Sequence, residues 1–325
     1  MNKLFTLIGF VLFCATAAQA QCPFNLTLTT QAQVDNFVVQ YPACTIIQGT
    51  VLVQSGDAIT NLNALSNLTF VLGNLSIQNN NMLTSLNGLQ NLAGVGNNID
   101  IVTNAKLANL NGLTSLATVT NDLSIDNNAL LTSITGLGNL TTVGGSMTLA
   151  NNPKLATSAG MSKLNTISGT LSVFQNTLLA DLNGFGALQT LGDLLVTTNP
   201  ALGNCANPGI CKYVKSPGQS ATIANNKTGC NSVSQVITAC QLVDVSAPNA
   251  QPLSVSPNPA TDWIRIAGLG EAAATLQVYD AAGRSVMTRD IRNDQILSVS
   301  NLRPGFYILS IQSADGLYQG SFVRN

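Results

Sequence analysis

The sequence of 325 residues contains no histidine. That removes the side chain on which most acid–base relays and catalytic triads turn. No C-x-x-C pair occurs either, so neither histidine nor cysteine spacing supports a zinc site. Charge is scarce: Asp, Glu, Lys and Arg make up 8% of the chain, 13 basic residues against 14 acidic, with Glu271 the single glutamate. So near-neutral a chain has no electrostatic footprint for nucleic acid. No G-x-x-x-x-G-K-[ST] loop is present to cradle a phosphate. The apolar run Leu4–Phe13 is too short to span a bilayer, and no later stretch is longer. No cofactor, metal, nucleic-acid partner or transmembrane segment is therefore expected.

Hydrophobic residues make up 45% of the chain, ample for a core, and with so little charge the solubility must come from Asn, Thr, Ser and Gln. Residues 1–20 read as a secretory signal peptide: Lys3 supplies the charged start, an apolar run follows, and Ala18-Gln19-Ala20 is a small-x-small cleavage site. Its removal takes Cys14 and leaves six cysteines, Cys22, Cys44, Cys205, Cys211, Cys230 and Cys240. An even number in an exported chain points to disulfides.

Aligned on itself, the chain repeats. Asn80, Asn104, Asn128, Asn152, Asn176 and Asn199 recur at steps of 24, 24, 24, 24 and 23 residues. The apolar positions keep the same phase. Leu75, Ile99, Leu123, Met147, Leu171 and Leu194 form one column, and Ile77, Ile101, Ile125, Leu149, Val173 and Val196 the next. Each copy reads G-x-L-x-I-x-x-N-x-x-L-x-x-L-x-G-L-x-x-L-x-x-V, with an imperfect first copy from Gly49 in which Gly56 replaces the Asn. The L-x-I phrase has period 2, as a short strand does, and the later apolar residues recur about every third position. One copy cannot bury its own apolar side, but stacked copies bury it against each other. The recurrent Asn is expected to turn inward at a corner, bonding its own coil and the next Asn along, as a structural ladder rather than a binding group.

The spacing and the phrase G-x-L-x-I-x-x-N-x-x-L-x-x-L-x-G-L resemble leucine-rich repeats, above all the receptor L-domain variety. The resemblance implies a mainly β fold: a right-handed, β-helix-like solenoid over 49–204. Such a rod needs its ends covered. Residues 21–48 fit an N-terminal cap with a short helix, stapled by Cys22–Cys44. Residues 205–240 fit a cysteine-rich C-terminal cap with one degenerate strand, Ala221 to Asn226. Adjacent coils would there bring Cys205 to Cys230, and flanking helices would bring Cys211 to Cys240. Six cysteines leave other connectivities open.

Composition then changes. All six arginines follow residue 260 and all seven lysines precede residue 228. Residues 241–252 read as a linker with two prolines. Residues 253–325 read as short strands with hairpin turns at 280–283 and 314–316, hence a small antiparallel β-sandwich. The segments "LSVSPNPATDWIRI", "LQVYDAAGRSV", "LSVSNLRPGFYILSI" and "SFVRN" resemble the type A C-terminal sorting domain of the type IX secretion system of Bacteroidota. The ending keeps only Val323 and Arg324 of a more lysine-rich family pattern. The resemblance implies passage through the periplasm and across the outer membrane by the type IX machinery, to the surface or beyond.

Candidate function falls on the outward positions of the L-x-I strands. One row is Asn74, Asn98, Asp122, Ser146, Thr170, Asp193; the next Ser76, Asp100, Ser124, Thr148, Ser172, Leu195; the third Gln78, Val102, Asp126, Ala150, Phe174, Thr197. Ser76, Gln78, Asp100, Asp122, Asp126 and Phe174 are the candidate binding face. Phe174, with Val102 and Ala150, is expected to form an apolar spot suited to stacking. These observations lead to the expectation of an exported, non-enzymatic binding or adhesion protein for an extracellular glycan or protein. The alternative is a polysaccharide-degrading β-helix enzyme using Asp100, Asp122 and Asp126 as acid and base. Ice binding would want regular rows of Thr, and these rows are mixed.

Overall fold

The structure, a computed structural model, describes residues 21–244, 251–269, 274–280, 284–313 and 316–325. The expected signal peptide, 1–20, lies outside them.

Each L-x-I phrase becomes a strand because its alternate side chains all find the same buried column. Leu75–Gln78, Ile99–Val102, Leu123–Asp126 and Met147–Ala150 lie side by side, parallel and in register: Leu75 opposite Ile99, Ile99 opposite Leu123, Leu123 opposite Met147. The "x-x-V" phrases make a second, shorter series, among them Phe70–Val71, Gly94–Val95, Thr118–Val119 and Thr142–Val143, also parallel. Two longer strands, Thr166–Phe174 and Thr190–Thr197, run round the corner and belong to both series, joining them into one 14-stranded sheet. Short 3-10 turns such as Asn111–Leu113 and Thr135–Leu137 close the third side. The enclosed Leu, Ile and Val side chains are almost wholly buried in one continuous core. Each fully buried aliphatic side chain stabilises by roughly 2 kcal/mol.

Two backbone devices keep the coils in register. Asn79, Thr103, Asn127, Asn151, Gln175, Thr198 and Asn225 all have φ between +52° and +59°. This left-handed residue breaks the alternation of the strand. Gln78 and Asn79 lie on the solvent side, and Asn80 then turns in. The second device is the glycine of x-G-L. A Cβ on Gly112 or Gly136 would lie 1.8 Å from the carbonyl oxygen of Leu86 or Leu110 on the preceding coil. Glycine alone permits that approach.

The inward Asn side chains form a continuous ladder. Asn128 Nδ2 donates to the Ile101 and Asp126 carbonyls at 2.9 and 3.1 Å. Its Oδ1 accepts from the backbone N–H of Asn104 at 3.1 Å. Asn104, Asn152, Asn176 and Asn199 repeat this pattern and Asn80 repeats its two carbonyl bonds, all fully buried. Asn226 ends the series by accepting from the Asn199 N–H at 2.9 Å. At the other end Gly56 occupies the register position opposite Asn80, but the neighbouring Ser55 supplies the side chain, its Oγ donating to Asn80 Oδ1 at 3.1 Å.

The caps are themselves part of the coil. Before the first copy, Leu26–Leu28 adds a strand beside Val51–Val53. The helix Gln31–Gln40 follows, opened by a Thr30/Gln33 capping box, and lays Val34 and Phe37 on the core. At the far end Ala221–Ala224 pairs with Thr190–Thr197, and the helices Pro208–Lys215 and Val233–Asp244 cover the last coil. Disulfides join Cys22 to Cys44, Cys205 to Cys230 and Cys211 to Cys240.

The C-terminal unit has its own core, with Ile264, Ile266, Leu276, Val278, Leu309, Ile311 and Phe322. Trp263–Ala267 pairs antiparallel with Ser254–Ser256 and with Gln295–Ser298. Ala274–Asp280, Ser285–Ile291, Gly305–Ser313 and Gly316–Arg324 form a second antiparallel set. The connection to the solenoid is shorter than the 241–252 expected. The helix runs on to Asp244, and Gln251–Pro252 pairs parallel with Gly316–Arg324, because those two backbones find an open edge there. The rest of that connection, and most of the two turns expected at 280–283 and 314–316, lie outside the described residues.

Candidate functional site

The outward rows belong to strands paired in register on both sides. Ser76, Asp100, Ser124, Thr148, Ser172 and Leu195 are successive register partners. So are Gln78, Val102, Asp126, Ala150, Phe174 and Thr197. Neighbouring members of a row are one strand spacing apart, about 4.8 Å. All of these side chains are half-buried except that of Ala150, which is fully buried. The expected apolar spot is therefore interrupted. Phe174 lies beside Ala150, but Asp126 stands between Ala150 and Val102.

The first outward row has a structural duty that the sequence reading missed. Its side chains accept hydrogen bonds from the backbone of the following coil. Asn74 Oδ1 accepts from the Asn98 N–H at 3.2 Å, and Asn98 Oδ1 from the Asp122 N–H at 3.2 Å. Asp122 Oδ1 accepts from the Ser146 N–H at 2.6 Å, and Ser146 Oγ from the Thr170 N–H at 3.1 Å. Asn25 starts the series, accepting from the Thr50 N–H at 2.7 Å. Gly145 leaves room for it, since a Cβ there would lie 2.2 Å from Asp122 Oδ1. The signal was present in the sequence: Asn, Asp, Ser and Thr share a short side-chain acceptor, and the residue before each strand is drawn from that set.

The three carboxylates thus differ. Asp122 has one oxygen committed to Ser146, and Asp126 has one committed to the Asn151 amide at 2.8 Å. Asp100 lies diagonally opposite both on the adjacent strand. Burial, and then the negative charge of Asp122, raise its carboxyl above the ordinary aspartate range. Among the described residues no three Asp, Glu, Cys or His side chains come together to hold a metal ion. Gln78 is linked through its amide to Gln54 at 3.1 Å. Ser76, Ser124, Thr148 and Ser172 have no side-chain bond among the described residues, so their hydroxyls face solvent on a regular pitch. The face is open surface. Concavities of about 500 and about 200 Å³ lie elsewhere, at the N-terminal and C-terminal caps.

Residues 43–99 match the Receptor L domain family, and residues 254–324 match the Secretion system C-terminal sorting domain. The first match spans the end of the N-terminal cap and the first coils, and the second spans nearly the whole C-terminal unit. No curated protein matches the chain. The chain thus joins a receptor L domain-type solenoid to a type IX sorting domain, which directs secretion to the cell surface or exterior and implies contact with the type IX machinery. No helix among the described residues is long and apolar enough to cross a membrane.

Proposed function

We infer that this is an exported recognition or adhesion protein, not an enzyme, whose solenoid binds an extracellular glycan or protein through the outward strand face. The observation that carries the reading is the contrast among the outward rows. The row from Asn74 to Ser146 is committed to the backbone, while the Ser76–Ser172 row presents hydroxyls and one carboxylate at the strand spacing. Hydroxyl, amide and carboxylate groups beside one aromatic ring, Phe174, form the mixture that recognises a sugar chain: hydrogen bonds along it and one stacking contact. The match of 43–99 to a receptor-type domain agrees with a binding role.

A polysaccharide-cleaving reading is kept in view by the raised carboxyl of Asp100. Against it, Asp122 and Asp126 each hold a structural hydrogen bond, and no Lys or Arg stands in the rows to stabilise a developing negative charge. The test is a panel of immobilised glycans and surface proteins, with product analysis in parallel. Retention without turnover, weakened about tenfold by Phe174→Ala or Asp126→Asn, is the expected result. Oligosaccharide release that disappears with Asp100→Asn would establish the enzyme instead.

A further inference from the structure

The two ends of the solenoid are complementary to each other. At the N-terminal end, Leu26–Leu28 pairs on one side only among the described residues. Leu26 N–H and Leu28 C=O bond toward the next coil, at 2.9 and 3.0 Å. In a parallel ladder the intervening Thr27 must then direct its N–H and C=O the other way, outward. At the C-terminal end, Ala221–Ala224 also pairs on one side only among the described residues. Ala224 C=O accepts from the Thr198 N–H at 3.1 Å, so Ile223 directs its N–H and C=O outward. Neither three- or four-residue edge contains a charge, a proline or a bulge, the usual guards against strand addition. The first edge opens onto the concavity of about 500 Å³, which Gln33, Asn36 and Gln40 of the adjacent helix also line.

Charge follows the same polarity. From Cys22 to Ala105 the chain carries Asp35, Asp57 and Asp100 and no Lys or Arg. From Asp193 to Asp244 it carries Lys212, Lys215 and Lys227 against Asp193 and Asp244, a small positive balance. Asp35, Asp57, Lys212 and Lys227 are exposed or partly so near their respective ends. Large exposed apolar side chains also gather at the acidic end, with Phe24 68% and Val39 72% exposed.

We propose that the solenoid stacks head to tail on a second copy of itself, the Ala221–Ala224 edge at the more basic end of one copy adding in parallel to the Leu26–Leu28 edge at the acidic end of the next. Inward side chains stay inward across the junction, since Thr27 and Thr222 both face solvent. The contact is heterologous, so it propagates as an open filament instead of closing as a dimer. It presents the outward rows as a longer, multivalent face, but it does not depend on what those rows bind.

Sedimentation velocity of the full chain over a concentration series tests it. The expected mass rises with concentration past two copies, and the association weakens in high salt. Asp35→Lys with Asp57→Lys should weaken it about tenfold, and adding Lys212→Glu and Lys227→Glu to the same chain should restore it. Thr27→Pro removes an outward N–H without touching charge and should also abolish it, with circular dichroism showing that the fold persists. A mass that stays monomeric, a mass that stops at two copies, or association indifferent to both sets of substitutions would overturn the proposal.

Discussion

The inner corner and the outer face of the coil repeat at the same interval but not in the same way. At the corner the residue is Asn six times running, from Asn80 to Asn199, each fully buried. On the face the corresponding positions change from coil to coil: Ser76, Asp100, Ser124, Thr148, Ser172, Leu195. The difference follows from what each position must satisfy. The corner has a fixed set of backbone partners, two carbonyls and an N–H, and Asn alone offers donors and an acceptor at the right reach. The face has solvent as its partner, so its chemistry is free to vary and to be selected for a ligand. Repetition therefore marks structure here, and departure from repetition marks where function has room.

The strongest way to break this comparison is to disturb the inner side where it has no slack. Gly136→Ala places a methyl carbon on the Leu110 carbonyl oxygen, and neither backbone can retreat without parting two coils. The expected loss is about 4 kcal/mol or more. Denaturant unfolding followed by circular dichroism measures it. Wild-type stability in this variant would mean that the coils are packed less tightly than the glycine column requires.

Next in size is a direct test of corner against face. Asn128→Ala leaves the Ile101 and Asp126 carbonyls and the Asn104 N–H without their partner in a dry interior. That should cost about 3 kcal/mol. Ser124→Ala, four residues earlier and facing solvent, should change stability by less than about 0.5 kcal/mol. Equal effects at the two sites would erase the distinction.

Much of this was legible in the sequence because the solenoid repeats its physics. One coil alone is ambiguous, but the columns through Leu75, Ile77 and Asn80 reappear in each later coil, so period and inward direction could be read together. The strand Trp263–Ala267 was legible for a different reason, its own alternation. What escaped lies where local pattern is silent or reads two ways. Leu26–Leu28 precedes the first copy, so no repeat announces it. Gln251–Pro252 becomes a strand only because Tyr318 and Gln319, far along the chain, provide its partner. The backbone ladder of Asn74, Asn98, Asp122 and Ser146 was hidden by its mixed composition, since a row of unlike polar residues reads as solvent-facing until the hydrogen bonds are seen. That row is the point at which corner logic intrudes on the face, and Asp100 sits beside it.

Asp100 consequently carries the smallest but most discriminating effect. Its carboxyl is half-buried and faces Asp122, whose charge is held in place by the Ser146 N–H. Burial first, and Asp122 second, raise its folded-state pKa above the unfolded value of 3.8. A raised carboxylate pKa disfavours the charged form in the folded state, so ionisation destabilises. The penalty is present in full above the folded pKa and disappears as pH falls below 3.8. Asp100→Asn should accordingly raise the Tm slightly at pH 7, and its advantage over wild type should shrink as the pH is lowered toward 3.8. Thermal melts of the two proteins across that range measure the difference. An advantage that stays constant with pH would show that the asparagine acts through a new hydrogen bond, and that the face at Asp100 bears no electrostatic strain.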